Sequence, residues 1–293
     1  FGSLEITSLI AMNLLKKIQK YWNYIENKYP KPKFINRVIE IDIKELKSAV
    51  NNQNLTFIKT IIRNLYKESS IIILRNAASK ELKQSMFDLV KSYEKRKPTF
   101  HKMYDGVKNF YRIIDKRVAY KYSTYAIKQS YYFFNWNCKN KVQKKFKSGV
   151  YGFWRYIKII SGISKKEYEN NIPSDYKIDR IQIVKYPKGG GQLKDHIDNV
   201  KNLRVTSGLM MAKKGIDFKS GGIYFRNKNY KKIFIENKIN ERDAVIFCGS
   251  IVHGVSKIDP KQRINWKSKN ARWYIGMFVE DSDHNKDRKT ATN

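Results

Sequence analysis

The chain has 293 residues, 41% of them hydrophobic and 14% aromatic, enough to bury a sizeable core and to exclude wholesale disorder. No apolar run approaches the ~20 residues a bilayer span needs, the longest being IIIL at 71–74 and VIFC at 245–248, so no transmembrane segment is expected. Sixty Lys and Arg against 26 Asp and Glu leave a net charge of +34. Such a surface attracts polyanions (nucleic acid, an anionic membrane or a charged glycan) in a salt-dependent way. AT-rich coding explains part of the lysine excess, and a merely solvated basic surface stands beside the polyanion reading. The two cysteines, Cys138 and Cys248, are too far apart in sequence to suggest a disulfide framework or a zinc cluster. A reducing, cytoplasmic setting fits, at most peripheral to a membrane.

Residues 1–11 read as a cloning-derived tail, with Gly2-Ser3 and Met12 at its two ends. From residue 12 to 25, Leu14, Leu15, Ile18, Trp22 and Ile25 recur at helical spacing among lysines, which predicts a basic amphipathic helix ending near Pro30 and Pro32. Docking of its Leu and Trp face on the main body is favoured over a membrane-surface role. Helices are predicted over 43–50, 55–67 and 78–93, with a buried strand at 70–75 (SIIILR) between the second and third. Residues 95–176 are rich in aromatics (YYFFNW at 131–136, FWRY at 153–156) and carry Lys139, Lys141, Lys144, Lys145 and Lys147. Aromatics among lysines can stack single-stranded nucleic acid, but at this density they read first as core and as the wall of a substrate pocket.

From residue 178 the pattern changes to short β-type segments separated by Gly, Asn and Lys turns: 181–186, 203–211, 222–225, 232–236, 244–247, 251–255 and 272–279. Many short strands at regular spacing predict a sandwich or barrel. Gly189-Gly190-Gly191 is not followed by Gly-Lys-Ser/Thr, so a phosphate-binding loop is excluded and a strand-connecting turn is predicted. His196-Ile197-Asp198 places two ligand-type side chains on one face of a strand or its exit, and His253 supplies a third. Two imidazoles and a carboxylate can occupy one face of an Fe(II) ion and leave three positions open. His-x-Asp alone is a weak signal. The ordered set around it is stronger: glycine-rich turn, His-x-Asp, Gly221-Gly222, an acidic turn before an apolar strand, a single His, then Arg272.

With these motifs the segment 178–280 resembles the Fe(II)- and 2-oxoglutarate-dependent oxygenases, in particular their prolyl hydroxylase-like and phytanoyl-CoA hydroxylase-like members. The carriers are KYPKGGGQLKDHIDN (185–199), SGGIYF (220–225), DAVIFCGSIVHGV (243–255) and ARWYIGMF (271–278). The resemblance implies an α+β fold: a double-stranded β-helix (jelly-roll, cupin-like) core at 178–281, a helical and aromatic-rich supporting region at 12–177 and a polar tail at 282–293, all one integrated domain. It implies that His196, Asp198 and His253 bind Fe(II), that Arg272 pairs with the distal carboxylate of 2-oxoglutarate, and that Tyr186 hydrogen-bonds this cosubstrate. O2 is the second cosubstrate. An intact Asp198 favours hydroxylation over halogenation, since related halogenases carry a small residue there. Asn199, Arg204, Arg226 and Trp266 lie where loops around such a site contact substrate.

Two features depart from the family pattern. Arg272 follows His253 by nineteen residues where about ten is common, and Arg263 occupies the nearer spacing. Tyr274 stands where many relatives place a serine. Three readings remain open. The leading one is a dioxygenase that hydroxylates a small, lipid-linked or glycan-linked metabolite with release of succinate and CO2. The others are a hydroxylase of protein or nucleic acid and a non-catalytic cupin-like binding protein.

Overall fold

The computed structural model describes residues 2–288, with side chains from Met12 onward, so the expected tail at 1–11 and the end of the chain after Arg288 lie outside the described side chains. Helix α1 (Gly2–Lys28) buries Leu14, Ile18, Trp22 and Ile25, spaced four, four and three apart so that they share one face. The Trp22 indole donates to the Ile160 carbonyl at 2.7 Å, and Glu26 pairs with Arg204 at 2.8 Å. The amphipathic face is therefore docked on the body of the protein. Strand β1 (Arg37–Asp42) runs into α2 (Ile43–Asn51) through a capping box, with Lys44 N donating to Asp42 and Asp42 N to Glu45. Helix α3 (Leu55–Tyr66), strand β2 (Ser70–Arg75) and helix α4 (Lys80–Tyr93) follow close to their expected places.

The aromatic-rich stretch resolves into strands β3 (Phe110–Ile114) and β4 (Ala126–Phe134) and the long helix α5 (Lys141–Ile160). Eight strands complete the chain: β5 (Lys177–Pro187), β6 (Gly191–His196), β7 (Val205–Met210), β8 (Gly222–Arg226), β9 (Lys232–Phe234), β10 (Ala244–Cys248), β11 (His253–Ile258) and β12 (Ala271–Asp281). They divide between two layers. The major sheet has the order β1-β2-β10-β7-β12-β5-β4, with β3 on the far side of β4, and the minor one has β6-β11-β8-β9. Ala126 and Ile127 at the start of β4 pair with β6 and so join the layers along one side. Strands β5 to β12 alternate between layers as the chain winds, apart from the β8–β9 hairpin, and this is the expected double-stranded β-helix.

The two faces of the major sheet serve different purposes, because successive side chains on a strand point to opposite sides. One face carries Tyr131, Phe133, Ile181, Ile183 and Trp273, all buried, and packs on the helices through Phe133 against Phe146 (5.4 Å) and Trp273 against Phe87 (5.4 Å). Each such side chain contributes roughly 1.5–3 kcal/mol when fully buried. The opposite face looks into the space between the sheets and carries Tyr186, Arg272 and Tyr274. The turn from β5 to β6 requires glycine: Gly189 has φ +89°, and a Cβ there would sit 2.4 Å from the Ile264 backbone nitrogen.

Candidate active site

Strand β6 ends at His196, and β11 begins at His253 directly opposite it in register. The ring centroids are 4.2 Å apart. Asp198 lies just beyond β6, where its backbone NH donates to the Gly249 carbonyl at 2.8 Å. Both imidazoles are held from behind. His253 Nδ1 donates to the Ile251 carbonyl at 2.9 Å and His196 Nδ1 to the Lys194 carbonyl at 3.1 Å. A proton fixed on Nδ1 leaves the Nε2 lone pair free to bind a metal, the usual arrangement behind a metal-bound histidine. Those two Nε2 atoms lie 3.5 Å (His196) and 3.6 Å (His253) from the two oxygens of Asp198. One donor atom from each of the three residues falls within 4.8 Å of the others, the spacing a single ion requires.

The electrostatics agree with that geometry. Burial pushes the His253 imidazolium down to about 4, and the neighbouring His196 adds to the effect. Burial alone would raise the Asp198 carboxyl, but the two histidines and the Thr206 hydroxyl outweigh it and bring it to about 2. The group at neutral pH is therefore a carboxylate beside a neutral His253, the protonation states a divalent cation needs.

The triad opens onto a narrow cavity of about 60 Å³ between the sheets. Tyr186, Arg272 and Tyr274 line it, and register sets Arg272 opposite Tyr186. Tyr274 stacks on Tyr186 with centroids 6.1 Å apart. The Tyr186 hydroxyl is buried at this cavity with only the Tyr274 hydroxyl beside it. A buried hydroxyl with so few protein partners is a place where a polar ligand fits. Arg272 is 2% exposed, and its Nε donates to both oxygens of Glu236 at 3.0 and 2.9 Å. Glu236 also accepts the Ile223 NH at 2.6 Å.

Glu236 gave no signal in sequence, because it stands 36 residues from Arg272 in a short 3-10 turn. The one indirect clue was Gly221-Gly222: Gly222 has φ +122°, and a Cβ there would lie 2.5 Å from Glu236 Cγ. Arg263, the alternative to Arg272, is exposed in the loop after β11. The four residues expected to contact substrate have the following partners in the fold. Arg204 holds Glu26, Arg226 holds Asp195 at 2.7 Å, the Trp266 carbonyl accepts Lys185 Nζ at 2.6 Å, and Asn199 caps the Lys201 NH at 2.9 Å.

No family model matches this chain, and no curated protein matches it. Solved structures do. The full-length Neurospora crassa T7H in complex with alpha-KG superposes with a TM-score of 0.50 at 14% identity, covering 87% of each chain. A prolyl hydroxylase from Trichoplax adhaerens, in complex with a hypoxia inducible factor peptide fragment, gives 0.47 at 13% identity over 79% of this chain and 91% of that one. A Pseudomonas putida prolyl-4-hydroxylase gives 0.43 at 8% identity over 71% and 91%. The first of these likenesses shows the fold, a double-stranded β-helix core with supporting helices. Among the described residues no helix is long and apolar enough to cross a membrane.

Proposed function

We propose that this protein is a non-haem Fe(II)- and 2-oxoglutarate-dependent dioxygenase that hydroxylates an organic substrate with release of succinate and CO2. The observation that carries the reading is the convergence of His196, Asp198 and His253 within 4.8 Å on a cavity between the two sheets. The donor set suits iron: two imidazole nitrogens and one carboxylate oxygen, leaving open positions. Iron with 2-oxoglutarate bound supplies oxidation of a C–H bond by O2, coupled to decarboxylation of the oxoacid. The protein's own part is to bind, orient and exclude water. Asp198 provides the negative charge that holds the cation, and the Ile251 and Lys194 carbonyls fix the two rings. Arg272 would hold the distal carboxylate of the oxoacid. The Tyr186 hydroxyl would donate to it, and the stacked Tyr186 and Tyr274 rings cover that end of the cavity.

The substrate we propose is a small organic molecule or the slender arm of a lipid- or glycan-linked one, with protein and nucleic acid as the class the test sets against it. The test is succinate release by the purified, Fe(II)-loaded protein over pools of small metabolites, peptides and oligonucleotides. Release that requires both 2-oxoglutarate and a compound from the small-molecule pool supports the reading. Stimulation only by peptide or nucleic acid transfers it to the macromolecular class, and no 2-oxoglutarate turnover under any condition overturns it.

A further inference from the structure

Beyond Tyr186, the inner face of the major sheet carries a second group of polar side chains that the oxygenase reading does not use. Register sets Arg112 opposite Ser130 and Ile114 opposite Lys128 across β3 and β4, while Phe134 faces Arg180 across β4 and β5. Gln129 pairs with Lys185, so Lys128 stands beside Tyr186 on the side that faces the cavity. Arg112 and Arg180 both lie over the Tyr132 ring, 5.1 and 5.5 Å from its centroid, and Arg180 lies 5.0 Å from the Phe278 centroid. Phe278 lines the triad cavity, so the two sites adjoin.

These cations are under-compensated. Arg180 has Glu280 at 2.9 Å. Arg112 and Lys128 have no acidic partner in contact among the described residues; the one carboxylate felt by Lys128 is Asp198 of the triad. Three polar atoms here are buried with no hydrogen-bond partner: Arg112 Nε, Arg180 Nε and the hydroxyl oxygen of Ser130, a residue with no exposed surface. Burial and the charges of the two arginines press the Lys128 ammonium down to about 7. Leaving donors buried and unpaired costs free energy unless something completes them, and here the half-buried cations surround them. Guanidinium forks preset on aromatic faces and a buried hydroxyl on the same sheet face have the composition of an oxyanion receptor.

We infer that Arg112, Lys128, Ser130 and Arg180 form a binding subsite for an oxyanion of the substrate, a carboxylate or a phosphate, holding the rest of that molecule against the triad cavity. The inference deepens the oxygenase reading and rests on it for its catalytic meaning, but the binding itself requires no metal. It narrows the substrate class to organic acids and phosphorylated compounds. The aromatic shelf of Tyr132 and Phe278 then contacts the part of the substrate next to the anion.

The test is calorimetric titration of the full chain, metal-free and at constant ionic strength, with inorganic phosphate and with acetate as probes. Wild-type protein is expected to bind at least one of them, and Lys128→Met and Arg112→Gln each to weaken it by about tenfold or more, as loss of a charge-assisted contact should. Two variants guard against misfolding of either one. Tighter phosphate binding assigns a phosphorylated substrate, and tighter acetate binding assigns a carboxylic acid. The subsite is overturned if neither probe binds at millimolar concentration, or if both variants bind as wild type does. It is also overturned if 2-oxoglutarate displaces the probe competitively in the Fe(II)-loaded protein, because the cluster then belongs to the oxoacid site. Failure of iron binding at the triad would sink the oxygenase reading alone and leave this titration intact.

Discussion

Removing Arg272 should have two separable consequences, because its guanidinium serves two carboxylates: that of Glu236, present in the fold, and that of 2-oxoglutarate, in the proposed complex. Arg272 and Glu236 are 2% and 3% exposed, and the Nε to carboxylate distances are 3.0 and 2.9 Å. Arg272→Gln strands the Glu236 charge in the interior. Breaking a buried pair from one side costs about 3–5 kcal/mol, so the melting temperature should fall sharply. Losing the charge-assisted contact to the oxoacid should raise the 2-oxoglutarate requirement at least about tenfold, or ~1.4 kcal/mol. The double variant Arg272→Gln/Glu236→Gln removes both charges together. It should recover most of the stability while keeping the full oxoacid defect, whereas Arg263→Gln, in an exposed loop, should change neither. The assays are thermal unfolding of the metal-free protein and 2-oxoglutarate titration under saturating Fe(II). Recovery of oxoacid affinity in the double variant, or an oxoacid defect confined to Arg263→Gln, would show that the carboxylate contact has been assigned to the wrong arginine.

Other outcomes follow from the same structure. Gly222→Ala should cost about 2 kcal/mol or more, since φ +122° disfavours any side chain and the new Cβ would meet Glu236 Cγ at 2.5 Å; chemical denaturation measures it, and a cost within about 0.5 kcal/mol would contradict the packing. Lys128 has its folded-state pKa lowered to about 7 by burial, then by Arg112 and Arg180, so the folded protein bears a penalty that is full below pH 7 and fades as pH rises towards the free lysine value. Lys128→Met should therefore melt above wild type at pH 6, with the gap closing by pH 10, and a gap that widens with pH would contradict the placement. Removing Lys139, Lys141, Lys144, Lys145 and Lys147 together should weaken binding to anionic vesicles, heparin-like glycan or nucleic acid, if the +34 charge serves recognition. That binding should fall steeply with salt, and absence of low-salt binding to all three would leave the charge as a solvated surface.

The elements most legible in sequence were those with a single period. Strand β2 and helices α2 and α3 are bounded by turn residues and caps, and they lie within a residue of expectation. The triad was legible because His-x-Asp and a lone His carry their chemistry in residue type. Strand β4 was not, because AIKQSYYFF is buried on both faces and so lacks the alternation that marks a half-exposed strand. Helix α5 was masked by aromatics on both sides of its basic turns, and β1 by a burial pattern with no fully buried residue. The Arg272–Glu236 pair and the Arg112, Lys128 and Arg180 cluster depend on register between strands distant in sequence. No local pattern encodes such pairings.

The central claim is that His196, Asp198 and His253 make one iron site, and the most direct measurement is anaerobic metal stoichiometry. Wild-type protein should bind one Fe(II) per chain. His196→Ala and His253→Ala should each lose iron binding together with 2-oxoglutarate turnover, with the fold intact by circular dichroism, because each removes a donor from a set whose atoms lie within 4.8 Å. Full iron occupancy in a His196→Ala/His253→Ala double variant would contradict the account.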